Sequence, residues 1–323
     1  MRITVYATPG LMLTLFAWGI VNYGIYLQQE TYNNIYKFLT GSIFFMLLFL
    51  SLSSYFKCFF TKHQTLPEEF YFPKNINLSK DDKSETIRNI VIDLIRIRKL
   101  PILTLGTFSK EYKYCHICRT IKPDRTHHCS QCNRCILKMD HHCIWVGNCI
   151  GFSNYKSFVL FLLYTSFIIM FYFGTVLPFL LRTWNIEKQF NLAIYLWIIG
   201  ISYVPLTFLL GMHLYFITRN KTTMESFMTP LFILNELNQY CYNIGLMQNI
   251  YEVFGEKLYL WPSPWSPCQG DGVTFPIYYK NKIYYDIYEH IRIEPNLAFD
   301  NKMNLYQNIV ESKVIDLEKG SNL

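Results

Sequence analysis

Four stretches of the chain stay apolar long enough to cross a bilayer, which takes about 20 mostly apolar residues. They run from Leu11 to Leu27, Phe38 to Phe56, Phe158 to Leu181 and Leu192 to Ile217. Each predicts one transmembrane helix. The first is broken by Gly19, Asn22 and Gly24, whereas Ile43 to Leu52 in the second is almost unbroken aliphatic and aromatic sequence. Between spans two and three, Ile87, Ile90, Val91, Leu94 and Ile95 recur at helical spacing opposite Arg88, Asp93 and Arg96. That pattern predicts an amphipathic helix with Ser84 placed to cap it. The helix either packs on its own domain or lies on the membrane surface. Beyond Lys280 the tail is polar, and no chemistry is read in it.

Composition agrees with membrane spans joined to polar segments. Hydrophobic residues make up 51% and charged residues 16% of 323 residues, against about a quarter charged in soluble proteins. Arg2 is the one charged residue before the first apolar run, which is too long for the apolar core of a signal peptide, so no cleavable signal is expected. The formal charge of +7 is placed unevenly. Gln28 to Tyr36 holds no Lys or Arg, and Arg182 to Asn191 holds only Arg182 and Lys188. Lys57 to Lys156 is dense with both, and Arg219 and Lys221 follow span four. Positive segments stay cytosolic, so both termini and the central segment are expected in the cytosol, with the charge meeting lipid rather than nucleic acid.

Seven of the ten cysteines fall between Cys115 and Cys149. In a reducing compartment such crowding points to metal or catalysis, not disulfides. Cys115, Cys118, His128 and Cys135 follow C-x2-C-x9-H-x6-C, and Cys129, Cys132, His142 and Cys149 repeat it fourteen residues on. Each copy supplies a Cys3His set, closed as structural zinc sites are, so two structural Zn2+ ions are expected. One thiol is left over. A third copy beginning at Cys143 would need cysteine where Val146 stands. Beside Cys143 lie Asp140 and His141, which offer the nucleophile, base and orienting carboxylate of covalent catalysis.

Asp140-His141-His142-Cys143 resembles the signature of the DHHC protein S-acyltransferases. The likeness extends through Lys122-Pro123-x-Arg125-x-His127-His128-Cys129, Gly147-Asn148-Cys149-Ile150-Gly151, Asn154 and Phe158. Thr222-Thr223-Met224-Glu225 is similar to the family's TTxE motif, and Asn249 to Gly255 to its C-terminal motif. The resemblance covers roughly residues 10 to 275.

It implies an α-helical polytopic membrane protein of four helices with a cytosolic two-zinc domain between spans two and three. The expected organisation is helices 1–2 in 1–56, a linker with the amphipathic helix in 57–114 and the cysteine-rich domain in 115–155. Helices 3–4 follow in 156–217, and a cytosolic C-terminal region in 218–323. The implied reaction is a two-step transfer: Cys143 takes a fatty acyl group, palmitoyl above all, from acyl-CoA and passes it to cysteines of membrane-associated substrate proteins. Lys122, Arg125 and His127 would meet the CoA phosphates, and Trp145 would border the acyl cavity. Thr223 would bond Asp140, and Asn249 would brace the C-terminal motif. Without the resemblance, Thr222 to Glu225 reads as a helix-start cap and Asn249 as a packing residue.

The host membrane is expected to be Golgi, endoplasmic reticulum or plasma membrane. Ile144 departs from the proline that often follows the signature cysteine. Cys58 and Cys241, near membrane ends, read either as plain apolar residues, the favoured reading, or as thiols that are themselves acylated. Rival readings are a catalytically silent zinc scaffold, a RING-type ligase and a channel. The spans hold few ionisable residues beyond His213, which speaks against the channel.

Overall fold

The computed structural model describes residues 3–74, 76, 85–183, 185–233, 240–279 and 282–285. Ser84, the expected cap, and the tail from 286 lie outside them. The helices among the described residues are α1 (Ile3–Gln29), α2 (Asn34–Phe60), α3 (Glu85–Arg98), α4 (Tyr155–Thr183), α5 (Ile186–Thr218), α6 (Thr223–Phe227) and α7 (Leu246–Phe254). Short strands pair in antiparallel ribbons: β1 (Thr104–Leu105) with β8 (Leu231–Phe232), β2 (Tyr114–Cys115) with β3 (Thr120–Ile121), and β4 (His127–Cys129) with β5 (Arg134–Ile136). The other two ribbons join β6 (His141–Cys143) to β7 (Asn148–Ile150) and β9 (Ile277–Tyr279) to β10 (Lys282–Tyr284).

The chain divides into two compact units, each assembled from separate segments. The first contains Met1–His63, Asp140–Asn220 and Gly245–Gln269. Its α1, α2, α4 and α5 are long and apolar enough to cross a membrane. Every one outruns its expected span. Polar and aromatic ends account for the extra turns: Asn33 caps α2 by accepting from the Tyr36 N–H at 2.8 Å, and Lys57 closes its last turn. The bundle packs through rings, with Tyr23 stacked on Phe44 at 3.9 Å and edge contacts among Tyr26, Phe179, Tyr172 and Tyr195. Ser51 on α2 and Thr165 on α4 share a buried hydrogen bond of 2.8 Å, a bond that contributes on the order of 0.6 kcal/mol between membrane helices.

After α5 the first unit resumes at α7. The Asn249 amide donates to Thr218 O at 2.7 Å and so satisfies a carbonyl at the end of α5. Lys156 Nζ reaches Phe254 O (3.3 Å), Leu260 O (2.8 Å) and Ser266 Oγ. Ser157 and Tyr164 donate to Pro264 O and Pro262 O. These bonds fasten the segment after α7 along the start of α4.

The second unit contains Gln64–Met139, Lys221–Ile244 and Gly270–Leu323. Ile87, Val91 and Ile95 of α3 are all buried, which resolves the two readings of the amphipathic helix towards packing within its own unit. The β1–β8 pairing brings Thr104 opposite Phe232. Buried Asp124 holds that edge by accepting from Leu103 N (2.9 Å), Thr104 N (3.0 Å) and Thr104 Oγ1 (2.6 Å). Cys241 lies in the apolar cluster with Leu103, Phe232, Tyr242, Phe275 and Ile277.

Candidate active site and metal clusters

The cysteine-rich stretch folds as three hairpins of one design. In each, a cysteine pairs across the ribbon with the residue five positions on: Cys115 with Thr120, Cys129 with Arg134 and Cys143 with Asn148. The residue four after that cysteine turns through the left-handed region, with φ of 54° at Arg119, 49° at Asn133 and 69° at Gly147. This turn aims the C-x2-C pair inward. The Cys118 N–H lies 3.4 Å from Cys115 Sγ, and the Cys132 N–H 3.3 Å from Cys129 Sγ. The H-x6-C half of the repeat is the same device seen later in the chain: His128 faces Cys135, and His142 faces Cys149, directly across their ribbons.

In the second unit Cys115, Cys118, His128 and Cys135 converge, their donor atoms all within 4.8 Å of one another. His128 Nδ1 stands 3.4, 3.3 and 3.9 Å from the three sulfurs. A tetrahedral zinc spaces its sulfur and nitrogen donors about 3.5 Å apart, so the set fits that ion. Of the second copy, Cys129 and Cys132 belong to the second unit, and His142 and Cys149, with Nδ1 and Sγ 3.6 Å apart, belong to the first. Both quartets carry a donor set suited to zinc.

The third hairpin keeps the first knuckle cysteine and puts Val146, fully buried, where the second would stand. Cys143 is thereby placed like a metal ligand but belongs to neither metal quartet among the described residues. It is 7% exposed, in an apolar cluster with Tyr55, Val146, Phe158, Phe161, Leu162 and Leu210. The turn is pinned from the membrane helices: Thr8 donates to Ile144 O, and Tyr55 to Trp145 O at 3.1 Å. The Gly147 N–H closes it on Cys143 O at 2.8 Å. The Asn148 amide donates to Cys58 O and Thr61 O, both at 3.0 Å, satisfying the end of α2. The Ile144 and Trp145 side chains stay exposed at the tip.

Asp140 is fully buried and its Oδ2 meets His141 Nδ1 at 2.6 Å. Burial works against charging His141, but hydrogen bonds to Asp140 and Cys143 outweigh it and push the pKa up to about 9. Asp140 and His141 are thus directly bonded, and Cys143 lies two residues further along the same strand β6. Behind them lies His213 of α5, which sequence reasoning registered only as a stray ionisable residue in a span.

In the second unit a cavity of about 300 Å³ is lined by Lys113, Arg125, His127, Glu225 and the Leu105–Ser109 loop. Burial, reinforced by the charges of Lys113 and Lys122, pushes His127 down to about 4. Burial also lowers Lys113, against the pull of Asp124 and Glu225. Arg125, expected at a phosphate, is 2% exposed with Nε and Nη2 on the Glu225 carboxylate at 2.8 and 2.9 Å. Lys113 was not anticipated from the sequence, where no motif marks it. Thr223 opens α6, where Thr222 and Glu225 form a reciprocal capping box.

A family model described as DHHC palmitoyltransferase matches residues 108–229. Palmitoyltransferase ZDHHC15 of Homo sapiens is 37% identical over 232 residues, which cover 69% of this chain and 67% of that protein. Palmitoyltransferase ZDHHC2 of Rattus norvegicus is 35% identical over 285 residues, covering 85% of this chain and 76% of its own. Palmitoyltransferase ZDHHC15A of Danio rerio is 37% identical over 230 residues, 69% of each. With two zinc-type donor sets, four apolar helices and this similarity, the chain belongs to the DHHC palmitoyltransferase family.

Proposed function

We propose that this protein is a protein-cysteine S-acyltransferase working by two thioester exchanges at Cys143. In the first, the Cys143 sulfur attacks the thioester carbonyl of a fatty acyl-CoA; the carbon–sulfur bond to CoA breaks, and CoA leaves as the thiol. In the second, a substrate protein's cysteine attacks the acyl-enzyme and Cys143 departs. His141, oriented by Asp140, takes the proton from the attacking thiol and returns it to the leaving one. The observation that carries this reading is a knuckle cysteine outside both metal quartets, two residues along β6 from a carboxylate-held histidine and packed in an apolar cluster. An acyl chain buried among α1, α2, α4 and α5 would gain about 0.8 kcal/mol per CH2.

The polar end of the donor has a candidate seat in the cavity lined by Lys113 and His127, with Lys122 adding charge nearby. An anion there would relieve the mutual repulsion of these groups. Glu225 occupies Arg125, so that side chain shapes the cavity wall rather than meeting a phosphate. Cys115, Cys118, His128 and Cys135 would hold one zinc, and Cys129, Cys132, His142 and Cys149 a second. The metal supplies fixed backbone geometry to the hairpins and takes no part in acyl transfer. Both termini and the cysteine-rich stretch lie on the cytosolic side, where acyl-CoA is found.

The test uses purified protein and an alkyne-tagged palmitoyl-CoA, reading hydroxylamine-sensitive label together with zinc content. Wild type should label and Cys143→Ser should not, with zinc unchanged in both. Equal labelling of the two, or no label on zinc-loaded wild type, overturns the proposal.

A further inference from the structure

A histidine inside an apolar membrane helix is costly and asks for a reason. His213 of α5 is fully buried, and its Nδ1 meets Tyr155 Oη at 3.1 Å. Its Nε2 has no hydrogen-bond partner among the described residues. Buried polar atoms are seldom left so. This one is not stranded among hydrocarbon. A ring nitrogen of His213, one of His141 and an Asp140 carboxylate oxygen all lie within 4.8 Å of one another. The two imidazoles are 5.8 Å apart and tilted by 35°. Phe158 stands edge-on to both, at 5.1 Å from His141 and 5.2 Å from His213, and Phe216 closes the far side at 6.0 Å.

Were His213 only a rivet between α4 and α5 through Tyr155, its ring would have no reason to stand against the Asp140-His141 pair, and the fold would carry an unpaired polar atom for nothing. We infer that His213 is a positioning residue for acyl transfer: held by Tyr155, it backs the Asp140-His141 pair and keeps the His141 ring turned towards Cys143. Asp140 alone grips His141 at one nitrogen and leaves the ring free to swing about that bond. Phe158 and His213 together remove that freedom. The inference rests on the acyl-transfer reading given above.

The test is single-turnover acylation of full-length protein over a range of palmitoyl-CoA concentrations, with zinc measured on each sample. Wild type and Cys143→Ser come first: if wild type forms no label at Cys143, the acyl-transfer reading fails and this inference falls with it. Given that label, His213→Leu should lower the maximal rate by on the order of tenfold to a hundredfold, as small misplacements of reacting groups do. The half-saturating donor concentration and the zinc content should not move. His213→Gln, which returns a polar amide, should regain most of the rate, and Tyr155→Phe should show a smaller loss of the same kind. A wild-type maximal rate in His213→Leu overturns the inference. So does an equal loss in the Leu and Gln variants, whether zinc is kept or lost, because packing would then be the whole role.

Discussion

The Arg125 guanidinium and the Glu225 carboxylate, 100 residues apart in sequence, meet through two contacts of 2.8 and 2.9 Å with both side chains at most 3% exposed. Tyr240 donates to the same carboxylate at 2.6 Å, and Tyr242 and Phe275 stand over the guanidinium at 4.4 and 5.0 Å. Burial by itself would raise Glu225, but Arg125 outweighs it and holds the carboxyl below the ordinary range. The glutamate of the TTxE sequence thus does two jobs, closing the capping box on Thr222 and neutralising a buried cation.

Breaking that pair from one side leaves a buried charge uncompensated. Glu225→Gln should cost about 3–5 kcal/mol. Adding Arg125→Met should recover a substantial part, because no lone charge then remains. Denaturant-induced release of zinc measures both, and an equal or larger loss in the double variant would contradict the pairing as the source of stability.

Acidification should weaken the second unit through the same residue. A carboxyl held low in the folded state contributes stability above its unfolded range, near pH 4, and loses it as pH falls through the lower folded value. Wild type should therefore lose more stability than Glu225→Gln between pH 5 and 3, pH values chosen from that range of about 4.

His141 carries the opposite sign. Its folded pKa is pushed up to about 9, above an unfolded value of about 6.5. Its contribution is complete below the unfolded value and is lost as pH rises through about 9. Asp140→Asn removes the carboxylate that sustains the shift. With His141 as the base, acyl-enzyme formation rises with pH as the ring loses its proton, so the variant should move that rising limb down towards neutrality and lower the maximal rate on the order of a hundredfold or more. A pH–rate profile of Cys143 labelling would decide this.

Lys156→Met should loosen the segment that follows α7. Each hydrogen bond from the ammonium contributes roughly 1.5–3 kcal/mol, so losing even one raises the open population about tenfold. Limited proteolysis between Gly255 and Gln269 reads that opening, and an unchanged cleavage rate would show that Ser157 and Tyr164 hold the segment unaided.

Metal removal separates the structural cysteines from the reactive one. Cys135→Ser should empty its quartet and unfold the hairpins around it, since a structural zinc contributes on the order of 10 kcal/mol. Cys143→Ser should keep all its metal.

Much of this protein was legible in the sequence because the signals are periodic or spaced. Four apolar runs gave the helices, since backbone groups in lipid must be satisfied within the helix itself. The fourteen-residue repeat gave the metal quartets and isolated Cys143, because a closed tetrahedral set counts its own ligands. The ends of the spans were less legible, because caps such as Asn33 and anchors such as Lys57 and Lys156 extend a helix past its apolar run.

Only the tertiary structure decided which partners the buried polar groups take. Arg125, which the resemblance places near the CoA phosphates, is bonded to Glu225 100 residues away, a partner that neutralises its charge inside a low-dielectric interior. His213 reads as a lone oddity in α5 until the packing of α5 against α4 carries it to Asp140 and His141. Local spacing fixes which residues are ligands, caps and spans. Pairings across 70 or 100 positions depend on how those elements pack, and no period in the chain records that.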